Sequence, residues 1–258
     1  MQVELIQFRH SPYNEKVRWA LDYKRVPHRR SSVLPGPHMG RVRKLTGRTS
    51  TPVLVVDGVA LDGSAAIIDR LEALFPTPPL MPADAASRRE ALELQRRFDD
   101  DWVPRVRRAV LQSLLATPRF FAAVFGHGRP AAARFAYSLV VPLAAPLVRR
   151  GNGITGDASV ADGIAAAGEA LDQVARRAAA TGYLAGDRFT LADLAACASL
   201  APILRLPGTP MEKNEPMGAP YAALLDRFHE HPGAVWARGI YARHRGATAD
   251  FEGASSYH

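Results

Sequence analysis

No helix or inner strand can run through Pro76-Thr77-Pro78-Pro79-Leu80-Met81-Pro82, because each proline lacks a backbone N–H and clashes with the preceding helical turn. So stiff a segment, set early in 258 residues, separates two units. The patterning differs on its two sides. Before it lie short β-prone runs broken by turn residues, and after it come long stretches without β-branched runs. These features divide the chain into an α/β unit over 1–76, a linker over 77–84, an all-helical unit over 85–245 and a loosely ordered tail over 246–258.

In the first unit, Val3, Leu5, Ile6 and Phe8 read as a buried strand. Ser11 is a preferred N-cap and Pro12 suits the first helical position. Tyr13, Val17, Ala20 and Leu21 then recur at helical spacing. A second strand over 28–33 completes a βαβ unit, whose strands must be parallel. Pro35, Gly36 and Pro37 open a loop with a small helix over 41–46. Val53 to Val56, the hairpin dipeptide Asp57-Gly58 and Val59 to Leu61 form an antiparallel pair. Ser64 starts a helix with apolar Ile67, Ile68, Leu71, Leu74 and Phe75. The predicted order is βαβαββα, followed by helices over 85–115, 131–149, 160–180, 191–204 and 221–228. At Thr190-Leu191-Ala192-Asp193 the sequence predicts a capping box, with Phe189 packing on Leu194 as a hydrophobic staple.

Composition narrows the function. The net charge of +8 is carried mostly by arginines scattered along the chain, without a basic run interleaved with aromatics, which argues against a nucleic-acid partner. The lone Cys197 excludes disulfide, zinc-cluster and Cys-x-x-Cys chemistry. No basic segment followed by an apolar one opens the sequence, so a cytoplasmic protein is expected. The apolar stretch 131–148 is interrupted by Arg134, Tyr137 and Ser138, and Pro142 and Pro146 should break a continuous helix there. That stretch is expected to be buried or to line a groove, and not to span a membrane stably. Asp99-Asp100-Asp101 points its carboxylates about 100° apart on a helix, so a solvated face is expected and no metal site.

Four motifs in register, Ser11-Pro12-Tyr13 with Lys16-Val17-Arg18, Thr51-Pro52-Val53-Leu54, Asp62-Gly63-Ser64-Ala65-Ala66-Ile67 and Asp187-Arg188-Phe189-Thr190-Leu191-Ala192-Asp193, resemble a cytosolic glutathione S-transferase. The resemblance implies a thioredoxin-like glutathione-binding domain ahead of a helical substrate domain, with Pro52 cis and facing the first helix. It implies a transferase that uses glutathione as co-substrate without a metal, serves detoxification and forms a homodimer. Ser11 would be the catalytic hydroxyl. Thr51, Pro52, Asp62, Gly63 and Ser64 would hold the peptide, Ser64 taking its γ-glutamyl carboxylate, and His38, Arg41 and Lys44 are the candidates for its glycyl carboxylate.

The proposed chemistry is energetically reasonable. Lowering a thiol pKa from about 8.5 by two units requires about 2.7 kcal/mol. A donated hydroxyl contributes roughly 1.5–3 kcal/mol and a helix N-terminus about 0.3–1 kcal/mol. On local evidence alone Ser11 and Ser64 are helix caps, a role a hydroxyl can combine with donation. Tyr13 is the competing donor and also a pocket candidate. Trp102, Phe120, Phe121 and Tyr137 are further candidates for a pocket between the domains that receives a hydrophobic electrophile, and core positions otherwise. One departure stands out: the family usually carries an acid immediately before the serine at Ser64, and this chain has Gly63. The same resemblance also admits a glutathione-dependent isomerase or dehalogenase, or a non-catalytic binding scaffold.

Overall fold

A computed structural model describes residues 1–213 and 216–249, and the backbone of 256–257. The first unit contains β1 (Val3–Gln7), α1 (Pro12–Tyr23), β2 (Arg29–Ser32), α2 (His38–Thr46), β3 (Val53–Val56), β4 (Val59–Asp62) and α3 (Ser64–Leu74). Its order is the predicted one. The mixed sheet runs β4-β3-β1-β2 and ends on β5 (Ser256–Tyr257), which pairs in parallel with β2. β1 is parallel to β2 and antiparallel to β3, and β3 and β4 form the hairpin. The tail is better anchored than expected: the Ala249 amide donates to Asp22 Oδ1 at 2.7 Å and the His28 amide to the Ala249 carbonyl at 3.3 Å. The rest of the predicted loose tail, 250–255 and His258, lies outside the described residues.

The second unit begins with α4 (Ala85–Arg97), capped by Asp84, whose Oδ1 accepts the Ser87 amide at 2.9 Å. A π-helical turn over Phe98–Trp102 leads into α5 (Val103–Leu115). Then follow α6 (Pro118–Phe125), α7 (Ala131–Gly151), α8 (Asp157–Ala178), α9 (Leu191–Leu200) with a short 3-10 turn, α10 (Ala219–Phe228) and α11 (Pro232–His244). Helices α6 and α11 were not predicted. Gly233 and Gly239 weaken the helical signal of α11. Gly233 is needed there, because a Cβ at this position would come within 2.2 Å of the Leu171 carbonyl oxygen on α8.

Two expectations fail on α7. It is one continuous helix through Pro142 and Pro146. Both prolines lie on its exposed side, and through them the Ser138 and Pro142 carbonyls lose their i+4 donors. The helix is also mostly uncovered: only Ser138, Val141 and Ala145 are buried.

The domains meet along α1, which packs on α3 and α9. The Trp19 ring lies 5.6 Å from Phe189 and 4.5 Å from Tyr241, and its Nε1 donates to the His244 carbonyl at 3.1 Å. Phe189 is therefore part of the interdomain aromatic stack. The capping box forms as predicted, with Asp193 Oδ2 accepting the Thr190 amide and Oδ1 the Leu184 amide, each at 2.9 Å. Both amides lie in buried surroundings, so Asp193→Ala is expected to cost about 2–4 kcal/mol of stability. Urea unfolding would measure this, and a loss under about 0.5 kcal/mol would mean the box is ornamental.

Candidate active site

Strand register brings three segments to one end of the sheet. Ile6, near the end of β1, sits opposite Val53, and Val53 sits opposite Asp62. The loop carrying Ser11, the Thr51–Pro52 bend and the Gly63–Ser64 turn are thus neighbours. The Thr51–Pro52 peptide is cis. Asn14, fully buried in the first turn of α1, donates from Nδ2 to Thr51 Oγ1 at 3.1 Å and ties the helix to that bend. Its Oδ1 has no hydrogen-bond partner among the described residues, nor has Nδ1 of buried His10.

Ser11 occupies the N-cap position with extended backbone (φ −90°, ψ 136°), yet its side chain makes no capping bond. Its carbonyl accepts the Glu15 amide at 2.9 Å and its amide donates to the Phe8 carbonyl at 3.3 Å. Backbone bonds hold the turn at Ser11, so its hydroxyl is left at the positive end of a 12-residue helix. Ser64 is arranged differently from a cap. Gly63 is the N-cap of α3, with φ +87°, and Ser64 is the first helical residue, 7% exposed. A side chain at position 63 would have open space but a strained backbone, which gives a physical reason for glycine there.

Cationic groups gather behind this loop. Burial, then Lys213 and Arg9, hold the His10 imidazole well below its ordinary pKa of 6.5, so it is neutral at pH 7. Burial lowers Lys213 to about 8, which leaves it mainly charged. Its Nζ stands 5.3 Å from the Tyr221 ring centroid.

The sequence profile of the glutathione S-transferase N-terminal domain matches residues 5–79, and that of the glutathione S-transferase C-terminal domain matches residues 137–217. The chain belongs to the glutathione S-transferase family. A family member from Rhodospirillum rubrum F11 has the same fold, with a TM-score of 0.64 and 22% identity over 95% of this chain and 90% of that one. A glutathione S-transferase from Methylobacillus flagellatus KT, solved with glutathione bound, superposes with a TM-score of 0.58 and 16% identity over 99% and 100% of the two chains. In sequence, the chain is 30% identical over 90 residues to a stringent starvation protein A homolog of Haemophilus ducreyi; the match spans 35% of this chain and 42% of that relative.

Within this glutathione S-transferase fold the predicted site residues separate. Ser11, Thr51, Pro52, Asp62, Gly63 and Ser64 share the sheet end described above. Asp62 also approaches Arg48 at 3.6 Å. His38 is engaged at both nitrogens: Nδ1 accepts the Gly36 amide at 3.1 Å, so Nε2 carries the proton and donates to the Thr49 carbonyl at 2.8 Å. Burial lowers its pKa, in keeping with a neutral ring. Arg41 turns to Glu4 on β1, 2.9 Å away, and so along the strand away from Ser11. Lys44 is exposed on α2.

Of the pocket candidates, Trp102 and Phe120 belong to the core. Trp102 is 1% exposed and packs edge-on against Phe98 at 4.7 Å, and buried Phe120 packs on Tyr221 at 5.6 Å. Tyr13 and Tyr137 bridge the domains. The Tyr13 hydroxyl donates to the Asp99 carbonyl at 2.7 Å, and the Tyr137 hydroxyl to the Pro35 carbonyl at 3.1 Å. Burial raises each phenol to about 12. An aromatic file links Tyr137 through Phe121 and Phe125 to Phe8, three residues before Ser11.

The expected solvated face at Asp99 is corrected by the structure. The π-helical turn swings its carboxylate onto Lys16, 2.5 Å away, where both are largely buried. Lys16 and Asn14 were missed as structural members of the site because their partners are distant in sequence.

Proposed function

We propose that the chain binds glutathione at the sheet end holding Ser11, Thr51, Pro52 and Ser64, and transfers it to a hydrophobic electrophile. The observation that carries this reading is a pair of serines at two helix N-termini, neither spending its hydroxyl on a partner among the described residues. Ser11 donates its hydrogen to the glutathione thiolate, while the end of α1 and the charge of Lys213 favour the anion. The thiolate sulfur then attacks the electrophilic carbon and displaces its leaving group. Ser64 and the amides opening α3 receive the γ-glutamyl carboxylate. Thr51 offers backbone bonds to the cysteinyl unit. The family fold, and the glutathione bound to the Methylobacillus flagellatus protein, support the co-substrate.

Calorimetric titration with glutathione tests the reading. Heat of binding is expected below millimolar peptide, with Ser64→Ala weakening it about tenfold, or about 1.4 kcal/mol. No heat at millimolar glutathione would instead favour a second reading, a non-catalytic scaffold. Three observations lean towards that alternative: Gly63 replaces an acid, His38 and Arg41 are committed to Thr49 and Glu4, and a stringent starvation protein A homolog matches in sequence. A homodimer is part of the proposal, and a monomer mass in light scattering would remove it.

A further inference from the structure

Helix α7 presents an unpartnered face. Phe135 is 54% exposed, Leu139 61%, Val140 52%, Leu143 81% and Leu147 75%. Phe135, Leu139, Leu143 and Leu147 recur every fourth residue and form one continuous stripe along the helix. Ala136, Pro142 and Pro146 are also exposed, so no charged side chain interrupts this face between Phe135 and Leu147. An apolar strip of this length, left to water, marks an interaction surface.

Charge points to the occupant. From 116 to 156 the chain carries Arg119, Arg129, Arg134, Arg149 and Arg150 and no acidic residue at all. Arg129 and Arg134 stand at the N-terminal end of α7, and Arg149 and Arg150 in its last turn. Positive charge therefore brackets the apolar strip at both ends. A second copy docked there, parallel or antiparallel, would set arginines against arginines, with Asp157 beside Arg149 as the one acid next to this segment in the sequence. An anionic bilayer satisfies both parts of the surface: headgroups take the arginines and acyl chains take the leucines.

The helix is long and apolar enough to cross a membrane by length and composition. Its other side, however, is fastened to the domain. Val141 and Ala145 are buried, the Tyr137 hydroxyl is bonded to Pro35, and α5 and α6 pack against it. We propose that α7 lies flat on an anionic membrane surface, inserting Phe135, Leu139, Leu143 and Leu147 while the domain stays folded. This inference is independent of the thiol chemistry.

The test is co-sedimentation of the full chain with vesicles of phosphatidylcholine, alone or mixed with phosphatidylglycerol. Binding to the mixed vesicles is expected to exceed binding to the neutral ones at least about tenfold and to weaken as salt is raised. The double variant Leu143→Gln and Leu147→Gln, on an exposed face and so expected to fold, should lose most of that binding. A Phe135→Trp reporter should shift its fluorescence to the blue on adding the mixed vesicles. The proposal is overturned if the chain ignores the mixed vesicles, or if the double glutamine variant binds them as well as the parent. It is equally overturned if that variant instead abolishes a homodimer, which would make a second copy the occupant.

Discussion

Replacing Ser11 by alanine is expected to cut glutathione transfer roughly 10- to 100-fold at neutral pH, because a hydroxyl donated to a thiolate contributes about 1.5–3 kcal/mol, or one to two pKa units of the thiol. The reason to expect a clean result is structural. The hydroxyl makes no capping bond, so its removal leaves the turn at Phe8 and the start of α1 held by backbone bonds already in place. Folding stability should therefore change by less than about 0.5 kcal/mol. Binding of the peptide should also persist, since the proposal seats its γ-glutamyl carboxylate at Ser64 and not at Ser11.

The pH profile separates this role from a merely structural one. In the parent protein the proposed reaction should speed up through the lowered thiol pKa and level off near neutrality. In Ser11→Ala the rising limb should move up by about one to two units, and the two profiles should converge at high pH. A stopped assay with a reactive aryl halide across pH would show it. Turnover unchanged at pH 7 would mean that Ser11 is not the donor. Tyr13 is poorly placed to stand in: its hydroxyl is donated to the Asp99 carbonyl and burial raises it to about 12.

The parts of this fold that could be read from sequence are those fixed by local chemistry. The strand runs, the Asp57-Gly58 hairpin, the start of α1 at Pro12 and the box at Thr190 depend on residues within a few positions of each other. What could not be read depends on partners far along the chain. Gly233 looks like a helix breaker until α8 is seen against it. Asp99 looks solvated on an ideal helix, and only the extra residue of the π-helical turn carries it to Lys16. Pro142 and Pro146 look like helix breaks, yet both stand on the open side of α7, which stays continuous through them. The charges of α1 carried no assignment that the sequence alone could give. Glu15, Lys16, Arg18 and Asp22 have the spacing of a solvated face, but a helix held between a sheet and a second domain has almost no such face. For the candidate site, sequence supplied Ser11, Thr51, Pro52 and Ser64. It could not supply the commitments of His38 and Arg41, because neither Thr49 nor Glu4 carries a recognisable signal.

That buried charge on α1 leads to the largest stability effect expected anywhere in the chain. Glu15 is completely buried, with Arg18 at 2.5 Å and Arg245, at the end of α11, at 2.8 Å. Arg245 also reaches Asp22 at 2.9 Å, so one network joins α1 to the last helix of the second domain. Glu15→Ala leaves Arg18 with no carboxylate partner among the described residues and Arg245 with Asp22 alone in a dry interface, and loss of one partner from a buried pair costs about 3–5 kcal/mol. For a protein of this size the melting temperature should fall by roughly 6–20 °C. The pH dependence identifies the cause. Burial by itself would raise the Glu15 carboxyl, but Arg245 and Arg18 outweigh it and hold the pKa below the ordinary 4.5. A depressed carboxylate contributes its full stabilisation above 4.5 and loses it as pH falls through the folded value. The difference in melting temperature between the parent and Glu15→Ala should therefore be constant from neutrality down to about pH 5 and should shrink at more acid pH. A difference that stays constant into strong acid would mean that lost packing, and not the uncompensated arginines, is responsible. A loss below about 1 kcal/mol would mean that this network does not hold the domains together.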